Sequence, residues 1–247
     1  MENPVVHFEI NGPDPEGLAK FYSDLLGWNV QAFPMPDGNV YRMVDTQGGE
    51  GINGGIDSSE GGNAAGIVVY VATPQIQATL DKAVSLGAKV AVPVTVVPDI
   101  VTFAQFVDPQ GVRVALVQDD GTQEPQGVTK GDGAAVGWFE ILGTDGVALH
   151  EFYSTLFDWK IENIGPEFGN YGLVEPGDKG IHGGVGASQG EPMSTIYANV
   201  DDLQKTLEKA ESLGATRVME PMEVPGGTTI ASFRDPWNNV FGIMKNG

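Results

Sequence analysis

Cysteine is missing from all 247 residues, which excludes disulfides, thiol nucleophiles and Cys-ligated zinc. Basic residues are scarce: 13 Lys and Arg stand against 33 Asp and Glu, a formal charge of −20 that would repel phosphate backbones and anionic headgroups. Nucleic-acid and membrane partners are therefore not expected. The acidity reads as solubility rather than as recognition of a cationic ligand. No apolar run approaches the roughly 20 residues of a membrane span. The opening MENPVVHFEI lacks the basic and apolar regions of a signal peptide, so a cytoplasmic protein is expected. Histidine occurs only three times, as His7, His150 and His182.

What is present is a chain that repeats itself. Shifting the sequence by 131 positions pairs residues 7–30 with 138–161, and 11 of those 24 pairs are identical. Farther on, GINGGI at 51–56 matches GIHGGV at 180–185, and LDKAVSLGA at 80–88 matches LEKAESLGA at 207–215. With 41% hydrophobic residues, each copy can bury its own core. The predicted division is residues 1–118 as a first domain, 119–135 as a Gly-, Asp- and Gln-rich linker, and 136–247 as a second domain.

Each copy divides again into two modules of the same plan, strand, helix and three strands, which makes the fold class α+β. The first strand alternates, placing Val5, His7 and Glu9 on one face and Val6, Phe8 and Ile10 on the other. Asp14 offers an N-cap, and Leu18, Phe21, Tyr22, Leu25 and Leu26 recur at helical spacing, echoed by Leu149, Phe152, Tyr153, Leu156 and Phe157. Those aromatics are predicted core. Gly87 and Gly214 look like helix terminators. The glycines of the GINGG and GIHGG runs are expected to permit a bend in the sheet, because no phosphate-loop context surrounds them. His150 is expected on a solvated helix position.

HFEI or WFEI, followed by FYSDLLGW or FYSTLFDW, a SLGA helix end and an Asp-Pro turn before the last strand, resembles the vicinal oxygen chelate superfamily of glyoxalases, bleomycin-resistance proteins and extradiol dioxygenases. The resemblance covers both copies. It implies tandem βαβββ modules, two per domain, curling into an open cupped sheet. Function does not follow from the fold, which hosts enzymes and pure binding proteins. Metal-dependent members place a His, Gln or Glu on the first strand, a His on the first strand of the second module and a Glu on the closing strand. The matching positions are His7, Val68 and Ala115 in one copy and Trp138, Thr195 and Gly242 in the other. Only His7 offers a familiar metal donor there, so no metal cofactor is expected.

Alternation then assigns the residues that share a face with those positions. The first copy gives His7, Glu9, Tyr70, Arg113 and Ala115; the second gives Trp138, Glu140, Thr195, Tyr197, Val240 and Gly242. Glu140 and Glu9 are the candidate acid or base groups, with Arg113 a possible cationic partner for Glu9. Both glutamates would serve equally well as simple hydrogen-bond acceptors. Trp138, Tyr197, Thr195, His182, His7, Tyr70 and Arg113 are the candidate ligand-binding residues, and Gly242 is expected to leave room for a planar ligand to stack. The reading is a monomer or homodimer that binds or transforms a small, aromatic or polyketide-like molecule; an enzyme of this kind would be a lyase, an isomerase or hydroxylase-like. The alternatives are a metal-dependent glyoxalase or dioxygenase with a non-standard ligand set, and a noncatalytic interaction protein with vestigial cups.

Overall fold

The computed structural model describes residues 3–35, 38–59, 65–119, 127–177 and 179–246, so part of the expected linker, residues 120–126, lies outside the described residues. Four modules follow one another. The first is β1 (Val5–Gly12), α1 (Pro15–Leu26), β2 (Asn29–Pro34), β3 (Val40–Asp45) and β4 (Gly54–Ser58). The second is β5 (Gly66–Thr73), α2 (Ile76–Ser85), β6 (Lys89–Val97), β7 (Val101–Val107) and β8 (Arg113–Gln118). The third is β9 (Val136–Gly143), α3 (Gly146–Phe157), β10 (Lys160–Asn163), β11 (Gly172–Glu175) and β12 (His182–Ala187). The fourth is β13 (Met193–Asn199), α4 (Leu203–Ser212), β14 (Thr216–Glu223), β15 (Thr229–Arg234) and β16 (Val240–Lys245). In every module the first strand pairs in parallel with the last, which continues antiparallel through the third to the second. The helix is the crossover that a parallel pair requires.

Local chemistry sets the helix ends. Asp14, Asp145 and Asp202 accept from the backbone N–H groups of Gly17, Ala148 and Lys205, as N-caps do. Gly87 and Gly214 follow α2 and α4 at φ of 99° and 98°, a conformation that costs a glycine little. His150 departs from its expectation. It is half-buried, with Nε2 2.9 Å from the Val185 carbonyl, because its α3 face lies against β12 rather than water.

Compactness cuts the chain differently from the repeat. Among the described residues, one unit combines those within 3–6, 68–119 and 138–194, which are essentially modules two and three; the other combines those within 7–67, 127–137 and 195–246, essentially modules one and four. The same contacts build both. In one unit the buried Tyr22 hydroxyl donates to Asp235 Oδ2 at 3.0 Å, and in the other Tyr153 donates to Asp108 Oδ2 at 2.9 Å. Each aspartate also accepts from backbone N–H groups of its own Asp-Pro turn. Phe21 packs on Phe233, and Phe152 on Phe106, with ring centroids 6.0 and 6.2 Å apart. Lys209 caps the Leu25 carbonyl and Lys82 the Leu156 carbonyl, each at the C-terminal end of a helix where a cation is favoured.

The stretches that precede β1 and β9 are exchanged in the same reciprocal way. Trp28 Nε1 donates to the Ala134 carbonyl and Trp159 Nε1 to the Asn3 carbonyl, both at 2.8 Å. Ile52 bridges to Val136, and Val5 to Ile181. Residues 127–135 of the expected linker are thus fastened within the unit that holds module one, further held by Gly131 N–H donating to the Gln47 carbonyl.

Candidate ligand-binding faces

The glycine runs explain how the polar residues come together. Gly183 and Gly184 stand on β12 beside Phe139 and Glu140 of β9. A Cβ on Gly183 would lie 2.3 Å from the Phe139 ring, and one on Gly184 only 1.8 Å from the Tyr171 hydroxyl. Gly54 and Gly55 repeat this beneath Phe8 and Tyr41 at 2.4 and 1.8 Å. The glycines are therefore seats for aromatic rings, one on each face of the strand. Ring seating is a demand for glycine at these positions beyond the bend that the sequence suggests.

On the β9 face, Tyr171 Oη donates to Glu140 Oε1 at 2.7 Å, and Trp138 Nε1 donates to Tyr171 Oη at 3.3 Å. Glu140 is buried at 9% exposure, so its carboxylate depends on protein partners rather than bulk water. His182 is exposed and stands in register with Trp138 on the neighbouring strand. The face carries an indole wall, a carboxylate, a phenol and an exposed imidazole. Tyr171 was not among the sequence candidates. Its signal was available: Tyr41 and Tyr171 sit 130 positions apart, between the repeat shifts of 131 and 129 that flank them.

Module one repeats the arrangement with a different residue. His7 Nε2 lies 2.9 Å from Tyr41 Oη, and Glu9, 8% exposed, stands opposite Gly55. Burial lowers the His7 pKa from 6.5 to about 4. The residue as a whole is half-buried, and the surrounding protein withholds enough water from the ring to disfavour the cation.

The remaining candidates fall on two further faces. Tyr70, Val68 and Ala115 form an apolar cluster packed by Phe103 and Val117. At its edge Gln105 links Tyr70, at 3.4 Å, to Arg113, which donates to Gln105 Oε1 at 2.9 Å. Thr195 is 2% exposed and its hydroxyl donates to the Val240 carbonyl at 2.8 Å. Tyr197 is 6% exposed, and a Cβ on Gly242 would meet its ring at 2.3 Å. The space expected at Gly242 for a stacking ligand is filled by Tyr197 itself. Trp138 and Glu140 belong to the unit of Tyr70 and Arg113, whereas Thr195 and Tyr197 belong to the unit of His7 and Glu9.

The sequence profile of the Glyoxalase/Bleomycin resistance protein/Dioxygenase superfamily matches residues 5–116 and 135–243. The chain belongs to that superfamily. Among curated members it is 25% identical over 248 residues to the Mycobacterium tuberculosis protein named "Putative glyoxylase CFP32", covering 96% of this chain and 92% of that one. It is also 26% identical over 130 residues to the Streptomyces peucetius anthracycline biosynthesis protein DnrV, covering 46% of this chain and 47% of DnrV. Homoprotocatechuate 2,3-dioxygenase from Arthrobacter globiformis shares the fold at a TM-score of 0.68, with 14% identity, over 99% of this chain and 80% of the dioxygenase.

Membership raises the question of a divalent cation, and the side chains at the superfamily's ligand positions do not fit one. Val68 and Ala115 lie in the apolar cluster, the Thr195 hydroxyl is engaged by a backbone carbonyl, and Gly242 is covered by a ring. Among the described residues, no three His, Cys, Asp or Glu side chains group as a cation requires.

Proposed function

We propose that this superfamily member binds a small planar organic molecule, aromatic or polyketide-like, on the Trp138 face and exchanges a proton with it through Glu140, with no resident metal. The observation that carries this reading is the 2.7 Å bond from Tyr171 to Glu140 beside the Trp138 indole. A mostly apolar wall with a few convergent polar groups is what small-molecule sites are made of. A buried carboxylate exchanges protons effectively when a partner fixes its position. DnrV, named for anthracycline biosynthesis, supports a polycyclic ligand.

A thermal-shift screen with hydroxylated anthraquinones and a broad metabolite panel tests the reading, using protein purified without chelator or histidine tag. A ligand should raise the melting temperature, Trp138→Ala should weaken its binding by roughly 1 to 3 kcal/mol through lost stacking and burial, and Glu140→Gln should abolish turnover while leaving binding nearly intact. Stoichiometric zinc, iron, nickel or manganese that survives dialysis would favour a metal-dependent enzyme instead. No response to any compound would favour a vestigial scaffold.

A further inference from the structure

The seating of Tyr171 on a glycine strand bears on how Glu140 is held, and this inference rests on the proton-exchange reading above. Three observations converge. First, Tyr171 reaches Glu140 only because its hydroxyl crosses over Gly184, whose missing Cβ leaves the space that the phenol oxygen occupies. Gly186, two residues along the same strand, clears the other side of the ring, since a Cβ there would lie 2.9 Å from Tyr171 Cδ2. Second, the phenol has a single proton, and the geometry directs it to Glu140 Oε1. Third, the Trp138 N–H points at the same phenol oxygen, and an indole nitrogen can only donate. The hydrogen bonds therefore run one way, from indole to phenol to carboxylate. Each donor polarises the next, which strengthens the last bond.

We infer that Tyr171 is a positioning residue for Glu140, seated by Gly184 and aligned by Trp138, which holds the carboxylate in its ionised, proton-accepting form. The ligand class follows. A site with an ionised carboxylate against an indole wall takes a planar molecule with a proton to give, such as a phenol or enol, rather than one that is already an anion. Trp138 then has two tasks, stacking with its face and aligning Tyr171 through its N–H. Glycine is required at position 184 because any side chain would displace the tyrosine.

The test is a titration of Glu140 in the intact protein by ¹³C NMR of side-chain-labelled glutamate, its signal assigned by its loss in Glu140→Gln. Removing one hydrogen bond to a charged group should move the midpoint upward by about one pH unit in Tyr171→Phe. Gly184→Ala should move it the same way by displacing the ring; should that variant fail to fold by circular dichroism, Tyr171→Phe decides alone. An unchanged midpoint in folded Tyr171→Phe overturns the inference, because a merely structural tyrosine would not alter the titration of its neighbour.

A second arm keeps this apart from the functional reading. Binding of 1,8-dihydroxyanthraquinone is followed by quenching of tryptophan fluorescence across pH. In support of both, 1,8-dihydroxyanthraquinone should bind wild type and Tyr171→Phe with nearly equal affinity while the NMR midpoint moves upward in the variant. A shifted midpoint without binding of any planar phenol would leave Tyr171 as the positioning group and sink the proposed ligand. Normal binding with an unshifted midpoint would do the reverse.

Discussion

His7 and Trp138 occupy equivalent places in the repeat, and both end with a ring nitrogen on a tyrosine hydroxyl, Tyr41 at 2.9 Å and Tyr171 at 3.3 Å. Exchanging an imidazole for an indole therefore keeps the polar contact, and nothing in it requires a metal. The two differ in how they answer to acid. With its pKa lowered by burial to about 4, His7 stays neutral in the folded protein while the unfolded chain takes up a proton below 6.5. Its contribution to stability is whole above that range and disappears as pH falls through it. Wild type should lose up to about 3 kcal/mol relative to His7→Gln between pH 6.5 and 4, read from urea unfolding at each pH. Parallel curves for the two proteins would show that His7 titrates like a solvated histidine. The comparison must be differential, since Asp108 and Asp235 oppose the trend. Burial raises their pKa values against the pull of their hydrogen bonds, so their contribution is present below 3.8 and is lost as pH rises through the raised values.

At the scale of elements, legibility in the sequence followed the range of the interaction. The cap at Asp14 could be read directly, because donor and acceptor are three residues apart. So could the strand faces, since alternation is local. The roles of Gly55 and Gly184 could not, because the rings seated on them, Tyr41 and Tyr171, come from other parts of the module. Glycine in a strand has several readings, and only the neighbour that lies on it selects one. For the same reason Gly242 promised space that Tyr197 fills. The seating has a measurable cost when violated. Gly183→Ala should destabilise the protein by about 1 to 3 kcal/mol through overpacking against Phe139. Gly127→Ala, where an added Cβ meets nothing within 4 Å, should be close to neutral. Equal stability of the two variants in denaturant titrations would show that Phe139 can vacate the seat freely.

At the scale of the molecule, repetition was plain in the sequence, but which module buries the face of which helix was not. The pattern of Phe21 and Tyr22 marks them as core without naming Phe233, Phe241 and Asp235 as what covers them. A fragment of residues 1–118 keeps α1 and loses that cover. It should self-associate, and regain a defined stoichiometry when co-expressed with residues 127–247; a folded monomer of the first fragment by size-exclusion chromatography would contradict the packing described. The Tyr–Asp bonds carry a further consequence, because they close loops of very different length. Tyr153 and Asp108 are 45 residues apart, whereas Tyr22 and Asp235 are 213 apart. On the ribosome, α1 is made before α2, α3 and α4 yet is covered only once Phe233, Asp235 and Phe241 exist, a wait of roughly 10 to 40 s at ordinary elongation rates. Modules two and three can close while synthesis continues. The apolar face of α1 is therefore exposed to chaperones for longer than those of the later helices, and a stall late in translation would strand it uncovered after modules two and three have folded.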